Sequence, residues 1–158
     1  MTSDAMPRKF LVVVDKSAEM RAALRFVCRR ALRTNGEVAL FHAVPKSEFH
    51  HFASLGDLME REARNDAEKL LQSVAGDVHR MSGRYPAFHI REGDTLEQLQ
   101  AVIAFDPSIC VLVLGAGAGP DGPGPIISAL SGALAGRIRI PITIVPGNLS
   151  DAAIDSLT

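Results

Sequence analysis

Apolar residues along the chain fall into two alternating patterns, short β-branched runs and longer stretches in which they return every three or four positions. Residues 9–14 (KFLVVV) form the first run, closed by Asp15, and they have the character of a strand buried on both faces of a parallel sheet. Ser17 then stands where it can cap a helix, with Met20, Ala23, Leu24, Val27 and Ala31 on its apolar face and Asn35-Gly36 as its stop. Residues 37–44 (EVALFHAV) return to strand character and Pro45, which has no N–H to give a ladder, ends them.

Residues 46–53 are expected to form a loop. A long amphipathic helix follows, carrying Leu55, Leu58, Met59, Ala63, Ala67, Leu70, Leu71, Val74, Val78 and Met81 on one face until Gly83. Residues 87–91 form a weakly signalled third strand. Asp94 and Glu97 then stand at capping-box spacing ahead of Leu96, Leu99 and Ile103, so a helix runs from there to Asp106-Pro107. The most apolar run, residues 109–114 (ICVLVL), is expected at the sheet centre. After a glycine-rich turn, residues 126–136 can form a short helix. Residues 140–145 (IPITIV) form a last strand, in which Pro141 fits an edge or first position, and Ser150 can cap a final helical turn. This β-α alternation predicts a doubly wound α/β sheet, because parallel neighbours need helical crossovers of one hand.

Composition narrows what such a domain can do. With 158 residues, 47% hydrophobic and 22% charged, the chain has the size and balance of a single globular domain spanning residues 1–158. A net charge of -1 with scattered Lys and Arg supplies no footprint for a phosphate backbone, so nucleic acid is not an expected partner. No apolar stretch approaches the length of a membrane span or a signal peptide, which leaves the cytoplasm as the expected location, with no membrane partner. Cys28 and Cys110 sit in apolar runs without metal or redox spacing and are expected to be buried and reduced.

Candidate chemistry gathers where strands one and four end. Open parallel sheets bind ligands beyond the carboxyl ends of their strands, at the point where strand order reverses. There the sequence offers Asp15-Lys16-Ser17 and GAGAGPDGPGP (residues 115–125). Gly115, Gly117, Gly119, Gly122 and Gly124, interleaved with prolines, can let backbone amides approach an anion, or can simply make a rigid connector. The G-x-G-x-x-G formed by residues 117–122 follows the fourth strand rather than the first, with Pro120 where a helix should open, so it is not a dinucleotide fingerprint. No Lys-Ser or Lys-Thr ends the glycine run, which excludes a P-loop NTPase. Asp15 can meet a base or ribose edge, or fix its own turn; Lys16 at that position is ordinarily solvated. His50-His51 and His42 lack the acidic or thiol partners of a metal site, and His42 is expected on the second strand, partly buried. No Ser-His-Asp or Cys-His ordering is tied to a nucleophile-bearing turn, so no catalytic residue is assigned and an enzyme is not expected.

Taken in order, FLVVVD, VALFHAV, REGDTLEQLQ, CVLVLGAGAG and IPITIVPG resemble the universal stress protein family (UspA-like) over nearly the whole chain. The resemblance implies a five-stranded parallel sheet of order 3-2-1-4-5 with helices on both faces. It also implies homodimers through the last strand, where Ile140, Ile142 and Ile144 would lie, and in one branch ATP or AMP held without appreciable chemistry. That branch reads G-x-x-G, nine residues, then G followed by Ser or Thr. Here Gly115 is kept, but Ala118, Ser128 and Ala129 stand at the other three marks. Asp15, Ala43, Leu114 and Gly115 match the family's pocket, while Gly117, Gly119 and Ser128 are candidates for a replacement phosphate cradle. Two functions follow. One is a non-catalytic stress-response or regulatory homodimer, open to protein partners, with weak or no nucleotide binding and no required cofactor. The other is a module that binds ATP or AMP at the ends of strands one and four.

Overall fold

The computed structural model describes residues 6–46 and 53–158. Of the expected loop at 46–53, residues 47–52, with His50-His51 among them, lie outside the described residues, and Ala53 is already helical. Five strands, β1 (Lys9–Val13), β2 (Glu37–Val44), β3 (Ala87–Glu92), β4 (Ile109–Ala116) and β5 (Ile142–Pro146), form one parallel sheet in the order β3-β2-β1-β4-β5. The helices are α1 (Met20–Thr34), α2 (Ala53–Ser82), α3 (Thr95–Phe105), α4 (Pro125–Leu130) and α5 (Asp151–Leu157). A 3-10 turn, Ala133–Arg137, follows α4 where sequence suggested that the helix would continue. β1 holds the sheet centre. β4, expected there, lies beside it between β1 and β5.

The period of two along each strand splits the core into two layers. Val12, Leu40 and Val113 face α1, α2 and α5, meeting Val27, Leu71, Val78 and Ile154. Leu11, Phe41, Leu112 and Leu114 face the other way, meeting Leu99, Val102 and Ile103 of α3 and Ile127 and Leu130 of α4. Ile140, expected on the β5 edge, precedes that strand and is buried in this second layer.

Local signals explain most element ends. Asn35 takes a left-handed backbone (φ 55°) and closes α1. Asp94 caps α3 by accepting the Glu97 N–H at 3.0 Å, and Ser150 caps α5 by accepting that of Ala153. α2 departs from its pattern: Leu55, Leu58 and Met59 are exposed, Ala63 is half-buried, and the first apolar side chain of α2 in the core is Ala67. Thirty residues of helix run about 45 Å, while the eight-residue strands beneath run about 26 Å, so the N-terminal turns of α2 overhang the sheet. No helix among the described residues is long and apolar enough to cross a membrane.

Candidate functional site

The order β2-β1-β4 puts the reversal of strand order between β1 and β4, so the loops after these strands diverge and leave a hollow. The Val14 N–H continues the β1 ladder to the Phe41 carbonyl at 2.8 Å, and the chain then turns. Asp15 fixes the turn itself, its carboxylate accepting both the backbone N–H of Ser17 (2.8 Å) and the Ser17 hydroxyl. Ser17 is therefore not the cap of α1. The helix starts three residues later at Met20, with Glu19 in the N-cap position and no side-chain cap. The ring of His42, on β2 and partly buried as expected, donates from Nδ1 to the Val14 carbonyl at 2.7 Å.

The glycine-rich turn packs onto this segment. A β-carbon at Gly115 would overlap the Glu19 carbonyl, and one at Gly147 would come within 2.5 Å of the Glu19 Cβ. Only glycine permits that approach. Gly117 is equally tight against its own loop, where a β-carbon would lie 2.8 Å from the Gly122 carbonyl and 3.6 Å from Glu19 Oε1. The Gly117 N–H donates to Pro123 (3.0 Å) and that of Gly122 to Gly119 (3.3 Å), so these amides serve the loop. Gly122 and Gly124 have φ of 84° and 118°. Pro125 opens α4 at its first position, where an N–H aimed at an anion would otherwise stand.

Three spaces result. An open cleft of about 350 Å³ lies between Val13, Val14, Asp15, His42 and Ala43 on one side and Asp94, Thr95, Leu96, Pro125 and Ile126 on the other. A recess of only about 70 Å³ adjoins it toward β4, bounded by Asp15, Ser17, Glu19, Met20, Leu114, Gly115 and the segment from Pro123 to Ile127. Outside the recess, an outer hollow of about 370 Å³ is lined by Ala18, Glu19, Gly117, Ala118, Gly119, Asp121, Gly122, Gly147 and Asn148. Asp15 belongs to both cleft and recess, Ala43 to the cleft, Leu114 and Gly115 to the recess, and Gly117 and Gly119 to the outer hollow. Ser128 is exposed on α4 and lines none of the three; nor does Lys16.

Several lining residues carry no sequence signal for a site. Leu96 reads as an apolar position of its helix and Asp94 only as the cap, and Glu19 and Ile126 carry no signal beyond the helices they belong to in the sequence reading. They arrive at one place because the segments after β1 (Glu19), β3 (Asp94 and Leu96) and β4 (Ile126) all leave the same end of the parallel sheet. Among the described residues no group of three His, Cys, Asp or Glu side chains is arranged to hold a metal ion.

A second polar cluster, equally silent in the sequence, sits at the opposite end of the sheet. Lys9 Nζ donates to Asp106 at 2.8 Å, and Ser108 donates to the same carboxylate through its N–H and hydroxyl. Burial works to raise the Asp106 pKa, but the hydrogen bonds from Lys9 and Ser108 outweigh it and hold the group at about 2. His89 Nε2, buried without a partner, lies 4.0 Å from Asp106. Burial, Arg91 and Lys9 depress the His89 pKa against the pull of Asp106. Arg139 closes the end of α3 by donating to the carbonyls of Ile103, Asp106 and Ile109. These contacts tie α3, β1 and β4 together and are saturated by the protein itself, apart from His89.

The sequence profile of the universal stress protein family matches residues 6–146. The chain belongs to the universal stress protein family. α5 lies beyond the matched region. Solved members of the family share the fold at low identity. Universal stress protein UspA from Lactobacillus plantarum superposes with a TM-score of 0.72 at 18% identity, covering 90% of this chain and 99% of that one. A universal stress protein from Archaeoglobus fulgidus, solved in complex with dAMP, gives 0.61 at 17% identity, covering 89% and 99%. One from Arabidopsis thaliana with AMP bound gives 0.60 at 17%, covering 89% and 92%. No curated protein sequence matches the chain.

Proposed function

We propose that this universal stress protein is a non-catalytic, cytoplasmic stress-response or regulatory protein that works as a homodimer and binds adenine nucleotides weakly or not at all. One observation carries the reading. The recess beside Gly115, the family's first phosphate-loop glycine, is reduced to about 70 Å³ by Glu19 and by the turn from Pro123 to Pro125. A triphosphate needs room and donors there, and the loop amides of Gly117 and Gly122 are already bonded within the loop.

Dimerisation rests on β5, which closes the sheet at one edge with Ile144 exposed and its outer backbone groups free to pair with a second copy. The relatives solved with AMP and dAMP, together with Asp15 and Ala43 beside an open cleft, favour the second reading, an AMP- or ATP-binding module.

Two measurements test the proposal. Purified protein is heat-denatured and the supernatant assayed for nucleotide, with none expected above trace; near-stoichiometric ATP or AMP would transfer the assignment to the second reading. Light scattering is expected to give twice the chain mass for the native protein and the chain mass for Ile144→Lys, and a monomeric native protein at high concentration would remove the homodimer from the proposal.

A further inference from the structure

α1 carries Arg21, Arg25, Arg29 and Arg33 at four-residue spacing, which stacks four guanidiniums along one face. Like charges at that spacing repel unless an anion covers them. Here α5 is the cover. Asp155 accepts from Arg25 Nε and Nη2, both at 2.8 Å, and pairs with Arg29 at 3.0 Å, while Arg33, one turn further, adds its attraction. Asp151, one turn earlier in α5, pairs with Arg21 and stands 3.7 Å from Arg25. Ile154, between the two carboxylates in sequence, is fully buried against α1.

Three observations set α5 apart from the fold it covers. The five strands are complete at Pro146, and the family profile ends at the same residue. Of the seven residues of α5 only Ile154 is buried, so the rest of its hold comes from partly exposed ion pairs that salt screens. α5 is also too short for the face. It spans about 10 Å where α1 spans about 22 Å. Beside it the surface continues as a hollow of about 330 Å³, in which apolar Leu24 and Met81 meet Arg21, Arg25 and Arg80. Asp77 answers Arg80, but two carboxylates of α5 face the four guanidiniums of α1, which leaves the face net positive with α5 in place.

We infer that this face of α1 is a docking surface for an acidic amphipathic helix of a partner protein, one with carboxylates at i and i+4 beside an aliphatic side chain, and that α5 occupies it as an intramolecular stand-in. Charge complementarity selects the occupant. α5 displays the pattern the face accepts, and the surplus positive charge and the open hollow offer a longer acidic helix contacts that α5 does not make. Such a partner displaces α5, because both claim Arg25 and Arg29.

The probe is a synthetic peptide of residues 149–158 (LSDAAIDSLT), added to the full chain while NMR follows the Nε–H signals of Arg25 and Arg29. The chain is used as the native protein and with α5 released by Asp151→Asn, Ile154→Ala and Asp155→Asn together. The released variant should keep the slowly exchanging amides of the sheet, lose protection in α5, and show shifts that saturate at millimolar peptide. Raising sodium chloride from about 0.05 to about 0.5 M should weaken that binding severalfold. The native protein should bind at least roughly tenfold more weakly, since its own α5 competes at high effective concentration. A folded released variant whose arginine signals ignore the peptide overturns the inference, and so does equal binding of a peptide with both aspartates replaced by asparagine. Equal shifts from sodium sulfate at matched ionic strength would make this a small-anion site, and native signals that change with protein concentration would make the occupant the α5 of a second copy. Either result sinks the partner helix. Should the released variant not fold, hydrogen exchange of the native protein decides: α5 amides that open well before the sheet support the inference, and amides that open only with the sheet end it.

Discussion

Glu19 and Gly115 meet backbone to backbone, the Glu19 carbonyl filling the place where a β-carbon on Gly115 would stand. Through this contact the end of β4 holds the start of α1, and the same contact narrows the recess. Gly115→Ala is therefore expected to destabilise the fold by about 1 to 3 kcal/mol, the usual cost of forcing a methyl into a packed site. Gly119→Ala is the control, because nothing lies within 4 Å of its β-carbon position. It should change stability by no more than about 0.5 kcal/mol. Urea denaturation of both variants checks this pair, and equal stabilities would show that the Glu19 contact is loose.

The C-terminal helix α5 is held by two kinds of contact of unequal strength. Ile154 is fully buried in the layer against α1. Asp155 accepts two bonds of 2.8 Å from Arg25 and pairs with Arg29, and the hydrogen bonds from Arg25 hold its pKa below the ordinary carboxylate value. Ile154→Ala should cost about 2 to 4 kcal/mol in a denaturant titration, insensitive to salt. Asp155→Ala should cost less, and its effect should shrink as sodium chloride is raised, because the pair is partly exposed and screened.

His89 makes stability depend on pH in a defined direction. Its pKa in the folded protein is depressed below the ordinary 6.5 by burial and by Arg91 and Lys9, with Asp106 opposing. Below pH 6.5 the unfolded chain therefore takes up a proton that the folded chain refuses, so stability falls as the pH drops from 6.5 toward the folded value. Asp106 works in a lower window. Its pKa is depressed from 3.8 to about 2, so its contribution is complete above 3.8 and is lost between there and about pH 2. Thermal melts of the native protein should decline between pH 7 and 5, and those of His89→Phe should decline less. A parallel decline in both would place the titration elsewhere.

The parallel sheet was legible because buried parallel strands and amphipathic helices write different periods into the sequence, and residues 9–14, 37–44 and 109–114 write theirs clearly; the strand order was implied by the family resemblance rather than by those periods. Caps made by one side chain reaching its own backbone, such as Asp94, were legible for the same reason. Ser17 was misread because two local bonds compete for it, and the Asx turn of Asp15 prevails over the helix end. Topology pointed to the ends of strands one and four, with Asp15 and the turn from Gly115, and the family resemblance added Ala43 and Leu114; the structure puts all four around neighbouring spaces. The chemistry of the site was not legible. Whether a glycine-rich turn offers its amides or uses them depends on contacts such as Gly117 with Pro123 and Gly115 with Glu19, which join residues as far apart as β4 and the start of α1 and leave no local pattern.

The closed phosphate end is tested most directly by thermal unfolding with and without ATP. A ligand present at a hundred times its Kd stabilises by about 2.7 kcal/mol, which for a domain of this size raises Tm by roughly 5 to 10 °C. With millimolar ATP the Tm is expected to stay within about 1 °C of the unliganded value, less than even 0.5 kcal/mol of binding would produce. A rise of several degrees that saturates with ATP would contradict it.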